Sequence, residues 1–249
     1  ALDQQKTHFF QTVSHELRTP LTLILTPLER TLKQYPDNEE IETASSNARR
    51  LLRLVNQLLD FQKLSANRYD LALQPRNLVP ILSRCADYFR SAASGRNIDF
   101  VVTVGETPLT GSTPPIVARI DVDAFEKVAM NYLSNALKYT PNQGRIELNL
   151  RAKKNFATLS VIDTGPGIAK DQQNQLFEIF TQVDGSTTRE FEGTGIGLAL
   201  VKELTEGMEG QVGVESDTGK GSSFWASFPL TSAEAVAEHI ETSDKTWLI

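Results

Sequence analysis

Glycine divides this chain. Of its 15 glycines none precedes Gly95, and eleven fall between Gly165 and Gly221. Glycine inside a helix costs about 1 kcal/mol relative to alanine, so a long stretch without it permits long regular helices. Where glycines cluster, the backbone can approach another backbone or a ligand closely. Two physically different parts therefore share the chain, and 249 residues is about the length of two small domains.

Composition removes several function classes. The chain is 40% hydrophobic and 22% charged, which are globular values. No run approaches the roughly 18 apolar residues of a membrane helix, and no basic-then-apolar opening marks a signal peptide. One cysteine, Cys85, leaves no intrachain disulfide, and no Cys/His cluster points to zinc, so the chain reads as intracellular. The net charge of −6 argues against a nucleic-acid surface. Half of it comes from residues 231–249, an acidic tail with four acids and one lysine. Residues 1–70 are neutral, with nine basic and nine acidic side chains.

The first part carries helical periodicity. Phe10, Val13, Leu17, Leu21, Ile24 and Leu28 step by three and four along one face. Tyr35-Pro36-Asp37-Asn38 breaks the pattern, and Asp37 with Glu40 three later forms a capping-box pattern for a second helix. That helix carries Ile41, Ala44, Ala48, Leu51, Val55, Leu58 and Leu59 and ends near Leu64. Two such helices make an antiparallel hairpin, and two apolar stripes exceed what one hairpin can enclose. The surplus is expected either to pack on the second domain or to pair with a second hairpin as a four-helix bundle. Pro75 and Pro80 then bracket an expected linker, residues 71–80. Beyond it, helices near 79–93, 123–139, 171–178 and 195–208 mix with strands near 97–104, 116–121, 145–152, 156–163, 211–216 and 222–230. Mixing without strict alternation predicts an α+β class with a helix-on-sheet sandwich over residues 81–230.

His15 sits about 200° around the helix from Val13 and from Leu17, off the apolar stripe. A lone histidine there is ordinarily a surface residue. Its neighbours point elsewhere: Glu16 is adjacent, Thr19 is one turn on, and Pro20 stands inside the helix, where proline costs about 3 kcal/mol. A neutral imidazole nitrogen is nucleophilic near pH 7, and an adjacent carboxylate can take its other proton. The segment Ser14-His15-Glu16-Leu17-Arg18-Thr19-Pro20-Leu21 resembles the H-box of bacterial sensor histidine kinases. His8 and His239 have no such setting and read as solvated.

A second constellation lies downstream. Lys127, Asn131, Asn135 and Lys138 share one helix face, which is either a plain polar surface or a seat for a polyanion with its cation, since amide oxygens are hard ligands for Mg²⁺. Asp163-Thr164-Gly165-Pro166-Gly167-Ile168 follows an apolar strand, and alone it is a turn as readily as a site. Gly193-Thr194-Gly195-Ile196-Gly197-Leu198 opens a helix, where exposed N–H groups suit phosphate. In order, Asn131-x-x-x-Asn135-Ala136-x-Lys138-Tyr139-Thr140, Asp163-x-Gly165-x-Gly167, Phe177-Glu178-Ile179-Phe180 and Gly193-x-Gly195-x-Gly197-Leu198 resemble the N, G1, F and G2 boxes of the histidine-kinase ATP-binding domain. With the H-box the resemblance covers about residues 5–230.

The resemblance implies a homodimer of helical hairpins followed by the ATP-binding fold shared with gyrase, mismatch-repair and chaperone ATPases (the GHKL superfamily). It implies His15 as phosphoacceptor, Glu16 as its assisting base and Thr19 as a residue acting in dephosphorylation of the partner regulator. It implies ATP and Mg²⁺, with Asn135 the main metal ligand and Asn131 supporting metal or phosphate. Lys138 would contact phosphate, and Tyr139 would lie by the nucleotide. Asp163 would bind the adenine amino group with Gly165 and Gly167 beside the base. Phe180, Gly193, Gly195, Gly197 and Leu198 would line the nucleotide, with a lid over residues 181–192. The partner would be the receiver domain of a response regulator, separate or fused beyond Ile249. A membrane-anchored sensor would lie upstream of this cytoplasmic fragment, which would itself touch neither membrane nor nucleic acid. Two other readings compete: an ATPase whose hairpin only dimerises, and a scaffold that has kept the fold.

The hydrolysing relatives place a glutamate base four residues before the metal-binding asparagine. Here that position is Asn131, an amide that removes no proton from water. Asn131→Glu is therefore expected to raise phosphate release and lower phosphohistidine yield from γ-labelled ATP. An unchanged yield would count against the role given to Asn131.

Overall fold

A computed structural model describes residues 2–65, 71–179, 181 and 195–231. The chain divides into two compact units, Ala1–Asp70 and Leu71–Ile249.

The first unit is a helical hairpin of α1 (Leu2–Gln34) and α2 (Glu39–Ser65). Its inner seam comprises the half-buried Leu21, Leu25, Leu28 and Leu32 and, from α2, Ile41, Ser45, Ala48, Leu52 and Val55. The alternating steps of three and four are those of a coiled-coil seam. The expected stripe therefore splits. Leu21 and Leu28 face inward, whereas Leu17 and Ile24 of the same helix, like Leu51 of α2, are 45%, 51% and 50% exposed. The helix start also differs. Asn38, not Asp37, caps α2: its Oδ1 accepts from Ile41 N at 3.0 Å and its carbonyl from Glu42 N at 3.0 Å. The first turn then carries Glu39, Glu40 and Glu42, favourable at the positive end of the helix dipole. α1 runs through Pro20 and a second proline, Pro27, without interruption.

The second unit opens with β1 (Gln74–Asn77), which pairs antiparallel with β4 (Val117–Ile120). This corrects the expected linker over residues 71–80. Pro75 lies in a strand of a two-stranded sheet, and Pro80 lies in the first turn of α3 (Leu78–Gly95), two places where a missing N–H is tolerated. Asn77 caps α3 by accepting from Val79 N at 3.1 Å. Leu78, Ile81, Leu82 and Ala86 are buried, and burial pushes the Cys85 thiol up to about 11.

β2 (Asp99–Val104), β3 (Thr107–Pro108), β5 (Arg145–Lys153), β6 (Phe156–Asp163), β7 (Gln211–Asp217) and β8 (Gly221–Pro229) form one sheet in the order β3-β2-β5-β6-β8-β7. Among the described residues only the β2–β5 pairing is parallel. Alternate residues Ile146, Leu148, Leu150, Ala157, Leu159, Val161, Phe224, Ala226 and Phe228 are buried. They face the helical layer of α3, α4 (Val122–Tyr139) and α6 (Gly197–Gly207). The other parity carries Arg145, Glu147, Thr158, Ser160 and Ser223, the pattern of a sheet with one solvated face. The helix expected over 171–178 shortens to α5 (Lys170–Gln173), after which bonds run from i to i+3, the tighter turn that does not sustain an α-helix.

Arg96, one residue past α3, reaches across to the end of α4. Its guanidinium donates to the carbonyls of Leu137 and Thr140 (the latter at 2.7 Å) and to Asn142 Oδ1 at 3.0 Å. A forked cation thus closes the carbonyl end of the helix that carries the expected nucleotide residues. Arg96→Ala is expected to cost about 2 kcal/mol in denaturant unfolding, the range for hydrogen bonds to a charged group. Arg96→Lys, which keeps the charge and loses the fork, should recover less than half of it.

Candidate functional site

Asp121 starts α4 by accepting from Ala124 N at 2.9 Å, while its second oxygen accepts from Ala72 N at 3.0 Å. From there the helix buries Ala124, Phe125, Val128, Ala129, Tyr132, Leu133 and Ala136. Lys127, Asn131, Asn135 and Lys138 are left half-buried on the opposite edge, as their spacing requires.

Asn131 Nδ2 donates to Lys127 O at 2.8 Å, which fixes its amide and leaves Oδ1 outward. A Cβ on Gly197 would stand 2.7 Å from that Oδ1, so the first residue of α6 meets α4 at Asn131. Ile196 precedes α6 without a side-chain cap, and Gly195 before it has φ +67°. Ile196 thus supplies no side-chain cap to the first N–H groups of α6 at the point of closest approach, the arrangement that receives phosphate. Leu198 is half-buried in that first turn. Lys138 Nζ donates to Tyr139 Oη at 2.9 Å and lies 4.6 Å from its ring centre, so both end residues of α4 are preset at its exit.

Asp163 ends β6 and is 6% exposed. Burial raises its carboxyl above the usual aspartate range, opposed by hydrogen bonds from the amides of Gly165 and Ser222. The Gly165 N–H reaches Oδ1 at 2.8 Å. Carboxylate oxygens have further acceptor capacity, which suits a neutral donor such as an exocyclic amine. A Cβ on Gly165 would lie 3.1 Å from Tyr139 O, so the G1 loop abuts the C-terminus of α4. The loop's other side packs on the turn between β7 and β8. Ile168 N donates to Ser216 Oγ and Gln173 Nε2 donates to Ile168 O and Ser216 O, all at 2.8 Å. Neither Ser216 nor Gln173 belongs to a motif in the sequence, nor does Arg96. They bond across tens of residues and leave no periodic signal.

Asn131, Asn135, Lys138, Tyr139, Asp163, Gly165, Gly167, Gly195, Gly197 and Leu198 thus belong to three adjoining segments of one unit. Phe180 and Gly193, with the expected lid except Thr181, lie outside the described residues. Among the described residues no cluster of three or more His, Cys, Asp or Glu is placed to hold a metal. The half-buried Asn135 and Asn131, the latter with its amide oxygen against the first residue of α6, fit a cation carried by phosphates, since amide oxygens are hard ligands and Mg²⁺ commonly takes few protein ligands.

His15 lies in α1, and its side chain is outside the described set. Glu16 and Thr19 are exposed on the same helix, and Thr19 is engaged. Arg18, between them, donates through Nε (3.2 Å) and Nη2 (2.8 Å) to Asn56 Oδ1 and ties the H-box segment to α2. The tail beyond Thr231, with Trp247, Leu248 and Ile249, is also outside the described residues.

A helical hairpin with a histidine motif, joined to an α/β sandwich in which these asparagine, aspartate and glycine segments adjoin, has the architecture of a nucleotide-binding signalling protein. Residues 5–67 match the His Kinase A (phospho-acceptor) domain, and residues 120–232 match the histidine kinase-, DNA gyrase B- and HSP90-like ATPase family. The chain belongs to the histidine kinases and carries their ATP-binding domain. It is 38% identical over 240 residues to hybrid signal transduction histidine kinase D of Dictyostelium discoideum, covering 92% of this chain and 15% of that protein. It is 35% identical over 240 residues to sensor histidine kinase TmoS of Ectopseudomonas mendocina, covering 94% and 24%. The crystal structure of full-length ShkA in complex with AMPPNP matches 91% of this chain and 46% of that one, with a TM-score of 0.73 and 31% identity. The chain therefore spans less than half the length of these relatives. Among the described residues no helix is long and apolar enough to cross a membrane.

Because the Asp163 carboxyl is raised in the folded chain, the native state holds this proton more tightly than the unfolded one. The associated stability is complete below the unfolded value of about 3.9 and is lost as pH rises through the higher folded value. Asp163→Asn does not titrate there. Its melting temperature relative to the parent chain is expected to become more favourable from about pH 4 to pH 7 in calorimetry; a pH-independent difference would contradict this.

Proposed function

We propose that this chain is the autophosphorylating core of a sensor histidine kinase. The observation that carries the reading is the co-occurrence, in one chain, of the H-box on α1 and the adjoining segments 131–138, 163–167 and 195–198, on α4, at the end of β6 and at the start of α6. In the reaction a neutral nitrogen of His15 attacks the γ-phosphorus of ATP, the bond to the β-phosphate oxygen breaks, and ADP leaves. Glu16 takes the imidazole proton. Asn135, with Asn131 beside it, would hold Mg²⁺, which supplies charge neutralisation on the phosphates. Lys138 adds a fixed positive charge, and the first amides of α6 receive phosphate oxygens. Asp163 accepts from the adenine amine, with Gly165 and Gly167 leaving room for the base. The phosphoryl group then passes to an aspartate of a receiver domain, and Thr19 acts in the reverse removal of phosphate from that partner.

The exposure of Leu17 and Ile24 on α1 and Leu51 on α2 supports pairing of two hairpins as a homodimer, since burying three large aliphatic side chains contributes several kcal/mol per protomer. The division of labour is a phosphoacceptor unit over residues 1–70 and an ATP-binding unit from Leu71, with the acidic residues 231–249 following. A sensor upstream, anchored at a membrane, and a receiver domain complete the proposed assembly, in which this fragment is cytoplasmic.

Incubation with γ-labelled ATP and Mg²⁺ tests the proposal. Acid-labile, base-stable label is expected on the chain, absent in His15→Gln and reduced at least about a hundredfold in Asn135→Ala. Steady phosphate release with no protein label would instead make the chain an ATPase with a dimerising hairpin.

A further inference from the structure

The loop that carries Asp163 is shaped by a different part of the chain, the turn between β7 and β8. A Cβ on Gly167 (φ +70°) would lie 2.0 Å from Asp217 O, and one on Gly221 (φ +89°) would lie 1.9 Å from Asp163 O. The two backbones are thus in direct contact at two points, with no side chain between them. Gly219 N also donates to Pro166 O at 2.6 Å.

Two side chains hold this contact in register. Ser216 Oγ donates its single proton to Gly221 O at 2.8 Å, which leaves it to accept from Ile168 N at 2.8 Å. With that proton spent, the 3.0 Å contact between Ser216 Oγ and Ser222 Oγ has Ser222 as donor. Ser222 pairs with Asp163 in the β6–β8 register. Gln173 Nε2 spends both its protons on carbonyls, Ile168 O on the loop and Ser216 O on the hairpin, each at 2.8 Å. Both partners only accept, which fixes the amide orientation. On its other side the loop is held by Thr164, whose N–H donates to Arg145 O at 3.1 Å and whose Oγ1 accepts from Arg145 N at 2.8 Å. Asp163 therefore sits between an anchor on β5 and the Ser216–Gln173 clamp.

We propose that Ser216 and Gln173 are positioning residues for purine recognition: they set the Asp163–Gly167 loop and so determine how strongly the site prefers a purine with an exocyclic 6-amino group over one without it. This rests on the reading of Asp163 as the acceptor for that amine. Neither residue belongs to the phosphate seat on α4 and α6, so loss of the clamp weakens the base contact and spares the phosphates.

The experiment is displacement of trinitrophenyl-ATP from the whole chain, with Mg²⁺, by ATP and by purine riboside triphosphate, which lacks the amine. Ser216→Ala and Gln173→Leu are each expected to reduce the ATP preference about fivefold, the effect of one lost neutral hydrogen bond. Both should bind the amine-free triphosphate within about twofold of the parent chain. Ser216→Thr, which keeps the hydroxyl, should restore the preference. The double variant should lose little more than the worse single one, because both act on one contact. A merely structural role predicts equal weakening toward both triphosphates; that result, or an unchanged preference, overturns the proposal. Asp163→Ala separates the two layers. If it abolishes the preference while the Ser216 and Gln173 variants keep it, the clamp proposal alone fails. If Asp163→Ala itself keeps the preference, the adenine reading fails and the clamp proposal falls with it.

Discussion

The rotation of α4 about its own axis is the constraint on which the nucleotide site depends. Tyr132 sets it. The residue is 1% exposed, its hydroxyl donates to Trp225 O at 3.0 Å, and its ring centre is 5.7 Å from that of Phe224. Burial drives its ionisation far above the usual tyrosine range, so the hydroxyl remains a donor at every physiological pH. Phe125, two turns earlier, packs at 5.1 Å on Phe228 of the same strand. With two aromatic pins on β8, the helix has one available rotation. That rotation presents Lys127, Asn131, Asn135 and Lys138 together, so core packing and site geometry are one decision. Arg96 fixes the far end of the helix, and with it the exit at Tyr139.

Around that helix the site is assembled from ends: the C-terminus of α4, the C-terminus of β6, the N-terminus of α6 and the β7–β8 turn. Ends can come together only where side chains are absent. A Cβ at Gly165, Gly167, Gly197 or Gly221 would meet another atom within 3.0 Å, whereas Gly95, Gly105, Gly111 and Gly219 face open space. Gly207, Gly210 and Gly213 also meet atoms within 3.0 Å, at the end of α6 and along β7, so the glycine clustering that divides the sequence belongs to the site only in part.

What was legible in the sequence was what repeats or what forms a compact motif. The helical periods gave the hairpin and α4, and alternation gave most strands within two residues. The ridge assignment on α1 was not legible, because Leu17 and Leu21 are both apolar at helical spacing and only the partner helix decides which is inside. Asp37 and Asn38 are both good caps one residue apart, and backbone geometry chose Asn38. Pro75 and Pro80 read as a linker because proline breaks regular structure in general; in a short two-stranded sheet and in a first helical turn it breaks nothing. Arg96, Ser216 and Gln173 each have a partner some 40 or more residues away, a pairing that no local pattern announces.

Asn131 draws these threads together. In sequence it is informative for what it lacks, a carboxylate to activate water. The fold adds a reason that an amide in particular is suited here. Its N–H group donates to Lys127 O, which a carboxylate cannot do, and this turns its oxygen toward Gly197 at the start of α6. One side chain of the helix carrying the metal-ligand candidate Asn135 thereby sets its oxygen against the first residue of α6, whose N-cap Ile196 supplies no side-chain cap. A glutamate would surrender that tie and place a charge where phosphate oxygens are proposed to sit, with electrostatic repulsion in a part-buried setting. The amide at position 131 therefore serves two ends at once under the proposed activity: it braces the phosphate seat, and it leaves the γ-phosphate without a base-activated water, so that the imidazole of His15 is the nucleophile.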